Sequence, residues 1–262
     1  MRIVTPRVYL ISRPTLDYDE IASYLREVGG EAWLDRVYKT GDDDTQNLIE
    51  FAGRLCYRSW EPGLNANVTR IRTDQEKYLE NILASAHGSV LEHANFTFIL
   101  HNVSRVLTHE NVRHRVGTAI SQESLRYVRL DDLPVWLPDW AREDEEVNEK
   151  ALRLLGAMED FQMWAAGHFQ LDSKDMPFSE KKAKTSFMRR FAPEGLATGM
   201  VWTANVRTLR HVIETRTAKG AEEEIRIVFD RVGRLMQEEA PYLFGDYTVD
   251  EDGAWIPGWR KV

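Results

Sequence analysis

An α+β fold in a single domain is predicted from three observations. Helical periodicity of apolar residues recurs along most of the 262 residues, strand-like runs are few, and the two do not alternate in a β-α-β rhythm. No repeat, low-complexity tract or linker rich in Pro, Gly or Ser divides the chain, so residues 1–262 are read as one unit.

The elements follow in order. The run RVYLIS at 7–12 reads as a short strand. Asp17 and Asp19 open a helix with Ile21, Tyr24, Leu25 and Val28 on one side, and Gly29 and Gly30 end it. Residues 44–58 place Leu48, Ile49, Ala52, Leu55 and Cys56 on one helical face. Asp74 has the character of an N-cap for a helix carrying Tyr78, Leu79, Ile82 and Leu83. HGSVLEH, which starts at His87, reads as a turn, and NFTFILHN (95–102) as a strand. SRVLTHENVRHR reads as a helix and the segment after it, to Leu130, as an irregular loop; Pro134 and Pro138 mark a break. A helix over 144–169 carries Val147, Leu154, Leu155, Met158, Phe161 and Ala165, and another spans 203–218. In the last, 221–239, Ile225, Val228, Phe229, Val232, Leu235 and Met236 follow i, i+3, i+4, i+7 spacing. Glu222, Glu223 and Glu224 begin it, where the helix dipole favours anions.

Composition narrows the function classes. Hydrophobic residues at 43% and charged residues at 29% are the balance of an ordinary globular protein. No apolar run is long enough to form a membrane-spanning helix, and the N-terminus lacks the apolar region and cleavage site of a signal peptide. One cysteine, Cys56, excludes an intrachain disulfide framework and suits a reducing cytoplasm. On the apolar face of its helix, Cys56 is expected to be a buried structural residue. The net charge of −8 argues against a general nucleic-acid coat. Arginine is nevertheless concentrated: Arg105, Arg113, Arg115, Arg126 and Arg129 stand against only Glu110 and Glu123. A second basic group holds Lys181, Lys182, Lys184, Arg189 and Arg190. Such clusters in an acidic chain fit either a small-anion site or a solvated basic surface.

The densest chemistry lies in Arg113-His114-Arg115 and Ser124-Leu125-Arg126-Tyr127. Guanidinium groups supply forked donors for a phosphate or a base carbonyl, a serine hydroxyl adds one bond, and Gly117 permits close approach of a ligand. Read on composition alone, the same stretch fits better a helix end with solvated arginines. Two other classes are weighed. In a metal-dependent hydrolase, His109-Glu110 and His114 would be ligands, but at i, i+5 the two histidines stand about 140° apart on a helix. His87 and His93 flank a turn and offer a weaker metal pair. An RNA-binding module would use the arginines, against which stand the acidic net charge and the absence of an aromatic RNP-like motif.

Several segments, in order, resemble flavin-dependent thymidylate synthases. The signature is Arg113-His114-Arg115, a spacer, then Ser124 with Arg126 two residues on. HGSVLEH (His87, Ser89, Glu92, His93), the β-rich NFTFILHN, AGRLCYRSW, MRRFAP, WTANVRTLRHVIETR and AEEEIR extend the match over roughly residues 45–130 and 185–245. The resemblance implies a helix-rich fold with a small, mostly antiparallel sheet and a homotetramer whose sites form between subunits. The implied reaction is reductive methylation of dUMP, with methylenetetrahydrofolate as carbon donor and FAD, reduced by NADPH, as hydride carrier. It places Ser89, Glu92, Arg113, His114, Arg115, Asn205, Arg207 and His211 at the flavin. It places Glu110, Gln122, Glu123, Ser124, Arg126, Arg189 and Arg216 at the nucleotide. Arg113 and Arg216 would stabilise charge on the pyrimidine, and Ser124 would hydrogen-bond it rather than act as a covalent nucleophile, since no Gly-x-Ser-x-Gly elbow surrounds it.

Read as helix positions, Asn205 and Arg216 share a face and stand about 16 Å apart along the axis, with Arg207 and His211 on another side. On that reading one small ligand does not collect all four from one subunit. The sequence departs from the pattern in three places. The spacer between Arg115 and Ser124 is one residue longer than usual, Glu110 stands where glutamine is common, and Gly220 and Glu222 replace residues more usual near the flavin. Glu110 would repel a phosphate or else pair with an arginine. These departures keep open a family member that modifies another pyrimidine nucleotide or attaches a different one-carbon group. Residues 240–262, with Trp255 and Trp259, are read either as a tail packing on a neighbouring subunit or as self-packing.

Overall fold

The computed structural model describes residues 1–41, 43–127 and 132–260; Arg129 and the end of the loop read to Leu130 lie outside the described residues. In chain order the elements are β1 (Arg2–Ile3), β2 (Arg7–Ser12), α1 (Tyr18–Val28), α2 (Glu31–Thr40), α3 (Asp44–Tyr57), α4 (Gln75–Ala84), a 3-10 turn at Gly88–Glu92, β3 (Asn95–Ser104), α5 (Arg105–Asn111), β4 (Thr118–Gln122), β5 (Pro134–Val135), α6 (Asp139–Glu143), α7 (Glu145–His168), α8 (Phe178–Met188), a 3-10 turn at Arg189–Phe191, β6 (Ala197–Asn205), α9 (Val206–Thr217), α10 (Glu223–Glu239), α11 (Pro241–Phe244), β7 (Tyr247–Val249) and β8 (Trp255–Pro257).

A four-stranded antiparallel sheet in the order β2-β3-β6-β4 organises them, which gives the α+β class. Its two central strands carry the core by simple alternation. Phe96, Phe98 and Leu100 of β3 stand opposite Ala204, Trp202 and Met200 of β6, all buried on one face. Leu209, Val212 and Ile213 of α9 pack into the same cluster, as do Ile225, Val228, Phe229, Val232 and Met236 of α10. The spacing of α10 therefore faces the sheet as its periodicity predicts. Each such side chain contributes about 1.5–3 kcal/mol on burial.

Four readings are corrected. Residues 118–122, read as loop, are strand β4, which pairs along β6 from Thr118↔Ala204 to Gln122↔Met200. The helix read from 203 begins at Val206, because Thr203, Ala204 and Asn205 finish β6 and the Asn205 side chain caps α9 by accepting the Thr208 N–H. The helix read through Arg115 stops at Asn111 (α5), and a turn carries the chain to Gly117, where φ is +68°.

α3 buries Ile49 and packs Leu48 and Ala52 on the core as its apolar spacing predicts, but its C-terminal part buries charged residues instead of Leu55 and Cys56. Glu50 and Arg54 are 0% and 2% exposed, while Leu55 and Cys56 face outwards. The buried pair is fully partnered. Arg54 Nε donates to Glu50 at 2.7 Å, and its remaining nitrogens donate to the carbonyls of Ser59 and Arg72. Glu50 also accepts from Gln75 at 3.0 Å and Arg36 at 2.5 Å. A charge so bonded is tolerated inside, and hydrophobic periodicity does not register it.

Trp255 packs on its own chain, 1% exposed, against Gly233 of α10, and its indole N–H donates to Asp230 at 3.0 Å. Arg210 of α9 holds the β7 end through both oxygens of Asp246, at 2.7 and 2.8 Å.

Candidate active site

Four elements converge on one cleft of about 410 Å³, within the span of roughly 300–1,000 Å³ usual for small-molecule sites. The 3-10 turn brings Glu92, the segment after α5 brings Arg113, His114, Arg115 and Val116, and the junction of β6 with α9 brings Asn205, Arg207, Thr208 and His211. Local bonds fix this shape. Asn205 N–H donates to Gly117 O at 3.1 Å, Thr208 Oγ1 to Val116 O at 2.9 Å, and Thr118 Oγ1 to His114 O at 2.8 Å. A Cβ on Gly117 would lie 2.4 Å from Asn205 Nδ2, so only glycine allows the turn to sit this close to the helix start. Arg207 is held by Glu92 at 2.6 Å.

Behind the cleft, Arg216 is bonded three times. Its Nε donates to His114 Nε2 at 2.7 Å, Nη1 to Glu110 Oε2 at 2.6 Å, and Nη2 to Glu110 O at 2.9 Å. Arginine Nε is always a donor, so His114 Nε2 accepts and the proton of the neutral ring sits on Nδ1. Burial, then the neighbouring Arg216 cation and His211, push the His114 pKa down to about 4. At neutral pH the site thus contains guanidinium cations, one N–H of a neutral imidazole, and the N-terminal end of α9. This set favours an anion or a ring bearing carbonyl oxygens.

The structure sorts the predicted residues into groups. Glu92, Arg113, His114, Arg115, Asn205, Arg207 and His211 line the cleft together. One expectation about α9 is therefore corrected, since Asn205 is its cap rather than a face-mate of Arg216; Asn205, Arg207 and His211 meet in one chain, while Arg216 stays outside the lining. Ser89 lies on the same 3-10 turn as Glu92, outside the lining. Glu110 pairs with Arg216, the arginine alternative of its two readings.

The remaining residues expected at the nucleotide do not line this cleft. Gln122 donates to Thr108 at 3.2 Å. Glu123 accepts the Gly199 N–H at 2.8 Å and so ties the longer spacer back to β6. Ser124 Oγ accepts the Arg126 N–H at 3.4 Å, and Arg126 lies over the Tyr127 ring. Arg189 is exposed in its own 3-10 turn. Sequence reasoning missed Val116 and Thr208 in the lining; Thr208, three residues after a capping Asn, carried the available signal. Among the described residues no group of three or more His, Cys, Asp or Glu is placed to hold a metal ion, and no helix is long and apolar enough to cross a membrane. His109 instead faces Glu194 at 3.4 Å.

Fold and cleft together define the class: an α+β protein with an arginine-lined pocket where a central strand runs into a helix. Comparison with known proteins then narrows it. Residues 37–242 match the family model described as thymidylate synthase complementing protein. The chain is 33% identical over 214 residues to the flavin-dependent thymidylate synthase of Mycobacteroides abscessus, covering 81% of this chain and 83% of that one. Identity to the Mycobacterium avium protein of the same name is 31% over 217 residues, covering 82% and 84%. Among solved structures, thymidylate synthase X from Helicobacter pylori, crystallised with FAD and dUMP, superposes with a TM-score of 0.55 at 23% identity over 77% of this chain and 93% of that one. The UMP/dUMP methylase PolB from Streptomyces cacaoi, bound with 5-Br dUMP, gives 0.62 at 14% identity over 94% and 96%. At these identities both structures establish the fold. The chain belongs to the thymidylate synthase complementing protein family, the flavin-dependent thymidylate synthases.

Proposed function

We propose that this protein methylates dUMP reductively to dTMP, with methylenetetrahydrofolate as carbon donor and FAD, reduced by NADPH, as hydride carrier. The observation that carries the reading is the convergence of Arg113-His114-Arg115 with Asn205, Arg207 and His211 in one cleft of a chain of this family. The cleft suits FAD. Its cations match phosphate or ring oxygens, and the glycine at 117 lets the backbone approach closely. FAD, when bound, supplies the hydride.

The chain's own groups then have distinct tasks. Arg113, Arg115 and Arg207 bind and orient, with Glu92 fixing Arg207. His114 offers an Nδ1–H donor held in that tautomer by Arg216. Arg216, together with Arg113, stabilises negative charge on the pyrimidine oxygens. Gln122, Glu123, Ser124, Arg126 and Arg189 bind the nucleotide. Because they do not line the cleft of their own chain, another subunit of a homotetramer brings them to it. The uncharged hydroxyl of Ser124 acts there as a hydrogen-bonding group.

The experiment is an absorbance spectrum after FAD is added and the excess removed, followed by anaerobic reduction and an assay with dUMP and methylenetetrahydrofolate. Retained flavin and dTMP support the reading. The Glu110–Arg216 pair favours a second one, in which the same site acts on another pyrimidine nucleotide. Retained flavin, no dTMP, and product from that other nucleotide would replace the first reading with the second. Absence of bound flavin refutes both.

A further inference from the structure

A second cleft, of about 200 Å³, opens between the C-terminal end of α3, the segment 59–72 and α4. Arg54, Arg70 and Arg72 line it, with Tyr57, Asn81 and His87, and no carboxylate does. The charge of Arg54 is matched by Glu50, and its bonds to the carbonyls of Ser59 and Arg72 pin both ends of the segment, so the cleft is preformed. Arg70 and Arg72 differ. Among the described residues neither guanidinium has a hydrogen bond or an ion pair. Two unmatched cations share one small cleft of a chain whose net charge is −8. Both can donate to an anion that enters the cleft. Beside them the rings of Tyr57 and His87 stack at 6.1 Å and 24°, and the exposed Tyr57 ring offers aromatic surface to a conjugated group. His87 also leads directly into the 3-10 turn whose Glu92 lines the first cleft, so one turn joins the two.

We propose that this second cleft binds the anionic end of a cosubstrate, a paired carboxylate or phosphate group attached to an aromatic or heteroaromatic body, through Arg70 and Arg72. This rests on the proposed reaction, whose two cosubstrates both carry such groups: glutamyl carboxylates on the folate and phosphates on the nicotinamide dinucleotide. The residues act in binding alone, and no bond is made or broken there.

The test separates the two sources and stands apart from turnover. Full-length protein and the R70Q/R72Q variant are titrated by calorimetry with γ-linked triglutamate and with adenosine 2′,5′-bisphosphate, after circular dichroism has shown equal melting temperatures. The wild type binds one of the probes, and the variant binds it at least about tenfold more weakly, the loss expected of charge-assisted bonds. In steady state the same variant raises the KM of the matching cosubstrate by about as much and leaves kcat and the KM for dUMP within about twofold. Loss of a preference for polyglutamylated over monoglutamyl folate assigns the carboxylate source, and loss of a preference for NADPH over NADH assigns the phosphate source. Binding of neither probe by the wild type, or equal binding by both proteins, overturns the proposal. Failure to form dTMP from dUMP, with probe binding intact, overturns the reaction and leaves the anion site standing.

Discussion

Replacing Glu110 by glutamine asks how Arg216 is held and what that holding does. Three bonds fix the guanidinium, and only one, Nη1 to Glu110 Oε2 at 2.6 Å, involves a carboxylate. The bond from Nη2 goes to the Glu110 carbonyl, and the bond from Nε to His114; neither changes in the variant. The pair is partly buried, with side chains 16% and 34% exposed. A hydrogen bond to a charged group contributes about 1.5–3 kcal/mol and an exposed ion pair about 0–1 kcal/mol. The glutamine amide oxygen retains a neutral bond, so Glu110→Gln should cost about 1 kcal/mol, which lowers Tm by about 2–4 °C in a chain of this size. The effect on chemistry has the opposite sign. If Arg216 acts on the pyrimidine as proposed, a carboxylate this close offsets its field, and removal of that charge should leave kcat/KM for dUMP equal or raised by up to about tenfold. Glu110→Ala removes the acceptor, loosens the arginine, and should lower kcat by about tenfold or more. Steady-state dTMP formation and a thermal melt on the three proteins read both quantities. A large loss of kcat/KM in Glu110→Gln, with no further loss in Glu110→Ala, would refute the argument, because the carboxylate itself would then be acting on substrate.

Other consequences are open to direct measurement. Gly117→Ala forces a side chain into the left-handed region and against Asn205 Nδ2, at about 1–2 kcal/mol for the backbone alone, and should reduce FAD retention on gel filtration. Asn205→Ala removes the cap of α9 and should destabilise by about 1 kcal/mol in chemical denaturation, with weakened flavin binding. Burial raises the Glu224 pKa from 4.5 to about 7, against the opposing bonds from Ser104. A raised carboxylate favours the fold fully below 4.5, and that contribution fades as pH rises through about 7. Glu224→Gln stays neutral, so its Tm should gain on that of the wild type across this window; a pH-independent difference would exclude the assignment. For His114 the sign is reversed. With its pKa pushed down from 6.5 to about 4, its contribution is present above 6.5 and lost as pH falls. The bond from Arg216 should break over the same range, visible as loss of the Nδ1–H tautomer in nitrogen NMR.

What the sequence made legible depended on local pattern. The stripe of α10 and the cap at Asp17 were readable because one helix face and one short side chain decide them. Strand β6 was hidden because Thr203 to Asn205 merge without a break into the helical spacing of Val206 onward, and β4 because TAISQ holds only one large apolar residue. In α3 a buried ion pair outweighed Leu55 and Cys56, which no apolar count anticipates. For the site, residue types and order pointed to the arginine turn and to Asn205, Arg207 and His211. The pairing of Glu110 with Arg216, 106 positions apart, arises only from the way α5 and α9 meet.

Because β6 passes into α9 with no residue between Asn205 and Val206, one wall of the cleft is continuous with the middle of the sheet. That wall has no joint at which to bend. Accommodation of differently shaped ligands therefore falls to the short turn from Val112 to Gly117, which is tied to that wall by hydrogen bonds rather than by the chain itself. Deuterium uptake on ligand addition should accordingly change most at that turn and least along β6. Attempts to broaden the substrate range have their freedom there, since a substitution in β6 disturbs the core and the cleft at once.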